Sequence, residues 1–389
     1  MNRVKENNLG YAAERLNINV AEAELKAAHV FNDPSLSVEY ADNDDRRMLM
    51  GRSVSVELSK TFSLGKRSAN IDLARSEKEL NEALLEDYFH NLRLEATLAY
   101  INAQKLCELY HIKEITYDNI RRLAESDSIR YSLGEITQVD ATQGHLEAGM
   151  IYNELLQAQA DADNACLELA LWTGDDDVII VPTDSLRAEA RIFALDELIQ
   201  TALDNRADLA AALKNVDVAA KELKVTRRER NMEFDLALGY NYNTEVRNEI
   251  APAPQFNGLT LGVAIPLKFS NTNRGAVKAA EFRVRQAELN YRQAELEIRN
   301  SVMQSYAQYD ALLRQVRNYD TGLLQKAQEV LDGKTYSYRR GETSLLEVLD
   351  AQRTHDDVRA NYVETLYNYL SALAGLERNA GIWDIKIEK

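Results

Sequence analysis

The stretch YSLGEITQVDATQ, Tyr131 to Gln143, is nearly spelled again as YRRGETSLLEVLDAQ, Tyr338 to Gln352. Each carries a tyrosine, a glycine-glutamate pair (Gly134-Glu135 and Gly341-Glu342), a hydroxyl residue and a carboxylate. Glycine frees the backbone for a tight reversal, and an acid near the start of the returning helix is favoured by the helix dipole. Carboxylates such as Glu347 and Asp350, repeated around a narrow axis, would repel one another, resist anions and hold divalent cations. No other spacing in the chain suggests a reactive centre. The histidines His29, His90, His111, His145 and His355 show no ligand spacing, and Cys107 and Cys166 lie too far apart in sequence for a disulfide framework or a zinc site. Both cysteines are expected to be buried free thiols. There is no catalytic triad, phosphate loop or dinucleotide fingerprint. The expectation is a non-enzyme with no cofactor and no dedicated metal site.

The elements that must position these motifs are long helices. In 389 residues there are only 16 glycines and 5 prolines, while charged residues reach 28%. The prolines, Pro34, Pro182, Pro252, Pro254 and Pro266, fall in a few short zones and leave very long stretches without a helix breaker. A formal charge of −16 argues against a nucleic-acid partner, because phosphate binding needs a concentrated basic surface. No apolar run approaches the roughly 18 residues of a membrane-spanning helix. The opening MNRVKENNLGY contains no apolar segment of signal-peptide type.

The doubled motif belongs to a doubled chain. AEAELKAAHVFNDPSLSVEY, Ala21 to Tyr40, matches AAKELKVTRRERNMEFDLALGY, Ala219 to Tyr240, and predicts tandem repeats over 1–194 and 195–389. Each repeat reads as helix, two strands, very long helix, tight turn (about 131–137 and 338–344) and returning helix. The residues Val277, Ala280, Val284, Ala287, Tyr291, Ala294 and Ile298 form a heptad seam, on which the small residues predict close helix packing. That second long helix is predicted to start with Asn273 as its N-cap and to run unbroken to about Tyr338, roughly 100 Å at 1.5 Å per residue. Returning helices are predicted over Thr137 to Trp172 and Ser344 to Leu376, with a further half-length helix over Leu195 to Arg230. Between them, 174–194 is expected to pack at mid-height and includes a β-like VIIV over 178–181.

Four segments alternate with period two, at about 35–41, 53–62, 232–243 and 258–268. Their apolar positions are Leu36, Val38, Val54, Val56, Leu58, Phe234, Leu236, Leu238, Leu261, Val263 and Ile265. One apolar and one polar face suits either a half-buried sheet on a soluble core or a lipid-facing membrane sheet. Aromatics toward the strand ends (Tyr40, Tyr240 and Tyr242; Phe62, Phe234 and Phe269) are where interfacial girdles would lie. Four strands cannot close a barrel, so a membrane sheet would need further copies of the chain.

The two turn motifs, PSLSVEY entering the first strand and IPLKFSNTNRGAVKAAE leaving the fourth resemble the TolC family of outer-membrane efflux proteins, with the last passage most similar to its heavy-metal-efflux branch. The resemblance implies a mainly α fold with a four-stranded antiparallel β contribution. It also implies a homotrimer whose strands close one twelve-stranded barrel in outer-membrane lipid and whose helices form a periplasmic α-barrel. Such a protein would be a passive duct in a Gram-negative envelope. It would dock a periplasmic adaptor (membrane fusion) protein and an inner-membrane transporter of RND type, exporting small molecules or metal ions. By motif position, Glu347 and Asp350 match an acidic ring at the periplasmic gate, and Asp140 and Tyr338 match a carboxylate–tyrosine link. Gly134, Glu135, Gly341 and Glu342 match the adaptor-docking tips. Thr343 stands where the family has a gating arginine. Aligned with the second repeat, the first residue falls opposite Ile199, and the chain is expected to be a mature form whose export signal has been removed. Two other architectures use long helical hairpins. One is a soluble coiled-coil scaffold; the other is a periplasmic adaptor, which would need more glycine and more strands.

Overall fold

The computed structural model describes residues 2–47, 49–174, 181–182, 186–267 and 273–383. The helices are α1 (Asn2–Asn7), α2 (Leu9–Ala28), α3 (Lys66–Ser132), α4 (Gln138–Thr173), α5 (Leu195–Asn205), α6 (Ala207–Arg228), α7 (Arg274–Asp320), α8 (Leu323–Arg339) and α9 (Leu345–Ala380). The strands are β1 (Ser35–Asp42), β2 (Arg52–Ser63), β3 (Glu233–Asn243) and β4 (Phe256–Ala264). The VIIV segment lies outside the described residues apart from Val181, as does Phe269.

Two helices expected to be continuous are broken. In the second repeat the long helix stops at Asp320 and resumes at Leu323, because Gly322 takes φ 102°, a conformation that no helix contains. The first repeat has no glycine or proline from Lys66 to Ser132, and α3 runs through all 67 residues. The helix expected over 195–230 is interrupted at Arg206, whose ψ of 125° is extended. Asn8 interrupts the first repeat at the matching place, between α1 and α2.

The chain forms two compact units, each drawn from both repeats: Met1–Arg15, Leu85–Leu209 and Ala294–Lys389 in one, Leu16–Leu84 and Ala210–Gln293 in the other. The second unit holds the whole sheet, an antiparallel meander in the order β1-β2-β3-β4. Its register puts like with like. Leu36, Leu58, Leu238 and Leu261 stand in one cross-strand row, and Val38, Val56, Tyr240 and Leu259 in another. The intervening rows are polar or small, such as Ser37, Glu57, Gly239 and Thr260. Alternation therefore sorts the sheet into one apolar and one polar face. β4 ends at Ala264, short of the expected 268, because Pro266 has no N–H to donate to a ladder. Asn273 does not act as a side-chain cap. Its φ is 69°, and its amide donates to Glu229 at 3.3 Å. The helices of this unit meet along small residues of the heptad seam, with Ala280 and Ala287 almost fully buried. They are laced by ion pairs such as Lys78–Glu22 at 2.8 Å, Lys214–Glu79 at 2.6 Å and Lys224–Asp72 at 2.7 Å.

In the first unit each returning helix ends against the break of a half-length pair. The C-cap Gly174 of α4 abuts the Asn7 carbonyl, and the C-cap Gly381 of α9 abuts Asn205. Asn8 donates to the Trp172 carbonyl at 3.5 Å, and Arg206, its counterpart, donates to the Asn379 carbonyl at 3.3 Å. Segment 186–194 is strapped down by tyrosines. Tyr369, fully buried, donates to the Glu189 carbonyl at 2.6 Å, and Tyr309 donates to the Arg191 carbonyl at 2.9 Å. Arg191 also pairs with the buried Glu377 at 2.8 Å. These tyrosines act through their hydroxyls as well as their rings.

Candidate functional site at the hairpin tips

Both tips are built by one backbone device. At the end of α3, Gly134 takes φ 77°, its N–H bonds the Tyr131 carbonyl and the Glu135 N–H bonds the Arg130 carbonyl, both at 2.9 Å. At the end of α8, Gly341 takes φ 73° and the same two bonds recur from Gly341 to Tyr338 and from Glu342 to Ser337, again at 2.9 Å. This left-handed stop satisfies the last carbonyls of each helix before the chain reverses. Glu135 then accepts from Arg130 at 3.3 Å, and Glu342 pairs with Arg340 at 3.2 Å.

The side chains around the two turns differ. Thr137 caps α4 reciprocally with Asp140: its hydroxyl accepts from the Asp140 N–H at 3.2 Å, while the Asp140 carboxylate accepts from the Thr137 N–H at 3.3 Å. The expected Asp140–Tyr338 hydrogen bond is therefore not made. The Tyr338 hydroxyl donates instead to Asp127 at 2.9 Å, and Asp127 is completely buried, with Arg130 at 3.5 Å. Burial raises the Asp127 carboxyl above its ordinary range against the opposing pull of Tyr338 and Arg130. Burial, and then the bond to Asp127, push the Tyr338 hydroxyl up to about 12. An apolar cluster of Ile120, Ala148, Ile151, Leu345, Val348 and Leu349 surrounds the pair and joins the first hairpin to the second.

Glu347 faces the other way, exposed, and takes Lys334 at 2.5 Å, which holds its carboxyl below the ordinary range. Asp350 is exposed three residues on, along the same helix face. Arg340 is engaged by Glu342 and stacks on Tyr336, so it does not take the place of the arginine missing at Thr343. Sequence reasoning missed Asp127, Arg130 and Lys334. One signal was present: matched by the 207-residue offset between Tyr131 and Tyr338, Asp127 falls opposite Lys334, a reversal of charge inside an otherwise repeated plan.

Cys107 and Cys166, distant in sequence, come together where α3 and α4 run alongside each other, close enough for the two thiols to influence one another. Among the described residues no group of three or more histidines, cysteines, aspartates or glutamates is arranged to hold a metal ion, and no helix is long and apolar enough to cross a membrane. The sheet supplies the other surface of consequence. Leu36, Val38, Leu58, Leu236, Leu238, Leu261, Val263 and Ile265 are all exposed, from 41% at Leu236 to 73% at Leu261. Val54, Val56 and Phe234 lie in the same face and are half-exposed.

The sequence model of the outer membrane efflux protein family matches residues 198–381. The cobalt-zinc-cadmium resistance protein CzcC of Cupriavidus metallidurans is 25% identical over 96% of this chain and 86% of its own length. That alignment carries the likeness through the first repeat as well. Residues 198–381 thus match the outer membrane efflux protein family, and the chain is similar to one such protein along nearly its whole length. The outer membrane protein TolC of Vibrio cholerae is 23% identical over 81% of this chain and 70% of its own. Crystal structures of CusC share the fold, with a TM-score of 0.79 over 98% of this chain and 91% of that one at 18% identity. The family is that of outer membrane efflux proteins, the sequence likeness to CzcC points toward its heavy-metal branch, and the likeness to CusC is one of fold.

Proposed function

We propose that the chain is one third of a passive outer-membrane exit duct. Three protomers close a twelve-stranded barrel in outer-membrane lipid, and their helices form a periplasmic tunnel. The observation that carries this reading is the uncovered apolar face of the sheet. Among the described residues its rows of leucine and valine are sealed neither by helices nor by a second sheet. A soluble scaffold would have to bury such a face, and in lipid the open edges of β1 and β4 demand hydrogen-bonding neighbours at several kcal/mol per unpaired group. A periplasmic adaptor fits less well, because the four strands among the described residues all belong to this one meander.

In this reading the hairpin tips, with Gly134, Glu135, Gly341 and Glu342, dock a periplasmic adaptor that links the duct to an inner-membrane transporter of RND type. Asp140, Tyr338, Glu347 and Asp350 line or brace the periplasmic gate, and the cargo is a metal ion or another small solute. Reconstitution in a planar bilayer tests the reading: wild type should give discrete conductance steps, and Tyr338→Phe should lengthen the open periods. A Leu236→Arg protein should insert poorly, with a cost of about 2–4 kcal/mol if that side chain meets lipid. Absence of conductance from a protein that stays dissolved without detergent would overturn it.

A further inference from the structure

Outside the tips, one pair of reactive groups has no role in the duct. Cys107 lies 27 residues before the turn glycine Gly134 and Cys166 lies 32 after it, so the hairpin lays them at nearly the same level. Their side chains lie close enough to influence one another. Around them α3 and α4 meet through Ala103, Ala165 and Leu169, all at least 95% buried. Alanines at that level let two helix axes approach inside the usual distance of about 8–10 Å. A disulfide, with its Cα separation of about 4.4–6.8 Å, needs such an approach.

We propose that Cys107 and Cys166 are a redox-modification site, a dithiol that an exogenous disulfide converts into a covalent cross-link between α3 and α4. Cys107 is half-buried and Cys166 is 4% exposed, which sets the order of events. The Cys107 thiolate attacks the exogenous disulfide, forming a mixed disulfide and expelling one thiol. The Cys166 thiolate then attacks the Cys107 sulfur and expels the second. Two thiol protons leave the protein, and two electrons reduce the exogenous disulfide to two thiols. Burial, followed by the neighbouring Cys166, pushes the Cys107 thiol up to about 11, so the exchange is slow at neutral pH and base-accelerated. The second repeat has no counterpart: the offset that matches Gly174 to Gly381 places the buried Leu373 opposite Cys166. The cross-link would brace the first hairpin alone.

The test uses the full chain in detergent, incubated with oxidised glutathione, then denatured, alkylated with a maleimide and weighed intact. Both thiols should disappear together, the mass should fall by two hydrogens, and a digest should yield one joined peptide pair. The rate should rise about tenfold per pH unit across neutrality. Cys166→Ser should stop at a single glutathione adduct on Cys107, while Cys107→Ser should leave Cys166 largely unmodified. Glutathione on both cysteines of the wild type, a disulfide joining two copies, or two thiols that persist on prolonged incubation in mild base would each overturn the proposal. These readouts are independent of channel activity.

Discussion

At the first tip a reciprocal cap fixes the start of α4, and its tyrosine, Tyr131, is 44% exposed; at the second, Ser344 makes no side-chain cap and Tyr338 is 6% exposed against a buried carboxylate. The backbone at the two turns is the same. What the two tips share is therefore the reversal, which the glycines and the two carbonyl-bonding N–H groups of each turn require. What diverged is which side chains the tips bury. The charge reversal between Asp127 and Lys334 marks that change: one takes a tyrosine hydroxyl inside the hairpin contact, the other neutralises Glu347 on an exposed face. A Glu347 already paired with Lys334 carries less net negative charge than a free carboxylate would.

The comparison can be sharpened by making the same substitution at matched positions, starting with the tyrosines. Tyr338→Ala should cost about 3–5 kcal/mol, since it opens a cavity and strips Asp127 of its donor, whereas Tyr131→Ala should stay within about 1 kcal/mol. Denaturant unfolding in detergent reads both, and equal costs would break the claimed asymmetry. Gly134→Ala and Gly341→Ala should each cost about 1–2 kcal/mol and match each other. An added Cβ meets nothing within 4 Å at either turn, so only the left-handed backbone is at stake. Thr137→Ala should cost about 1 kcal/mol through the lost cap, and Ser344→Ala close to nothing, a difference that thermal scans resolve.

The smallest effect is in pH. Asp127 has a raised folded-state pKa, so its stabilisation is fully present at low pH and fades as pH rises through that value. Glu347 has a lowered one, so its contribution is present above the ordinary carboxylate range and is lost as pH falls through the depressed value. Acidification should therefore relieve the burial cost of the Asp127 carboxylate before it releases Lys334 from Glu347. Melting curves of Asp127→Asn and Lys334→Met across that range should lose the first and second trends respectively, and identical profiles for both would contradict the assignment.

Much of this was legible in the sequence. Period-two alternation gave the strands and their faces, because a sheet's register must keep Leu36, Leu58, Leu238 and Leu261 on one side. Gly134 and Gly341 could be read as turns because no other residue adopts that φ so cheaply. The Tyr338–Asp127 bond could not be read, since 211 residues separate its ends and helix packing alone decides which carboxylate a buried hydroxyl meets. Asn273 misled for a similar reason. An asparagine before a helix suggests a cap, but a positive φ and a nearby Glu229 turned its amide elsewhere. The helix break at Arg206 carries neither glycine nor proline; only its alignment with Asn8, itself a plausible cap, hinted at it.

The central claim is that the exposed apolar sheet is completed by identical neighbours. Native mass measurement of the detergent-solubilised protein tests it most directly. The account predicts a single species of three chains that survives dilution, while a monodisperse single chain, stable in plain buffer, would contradict it.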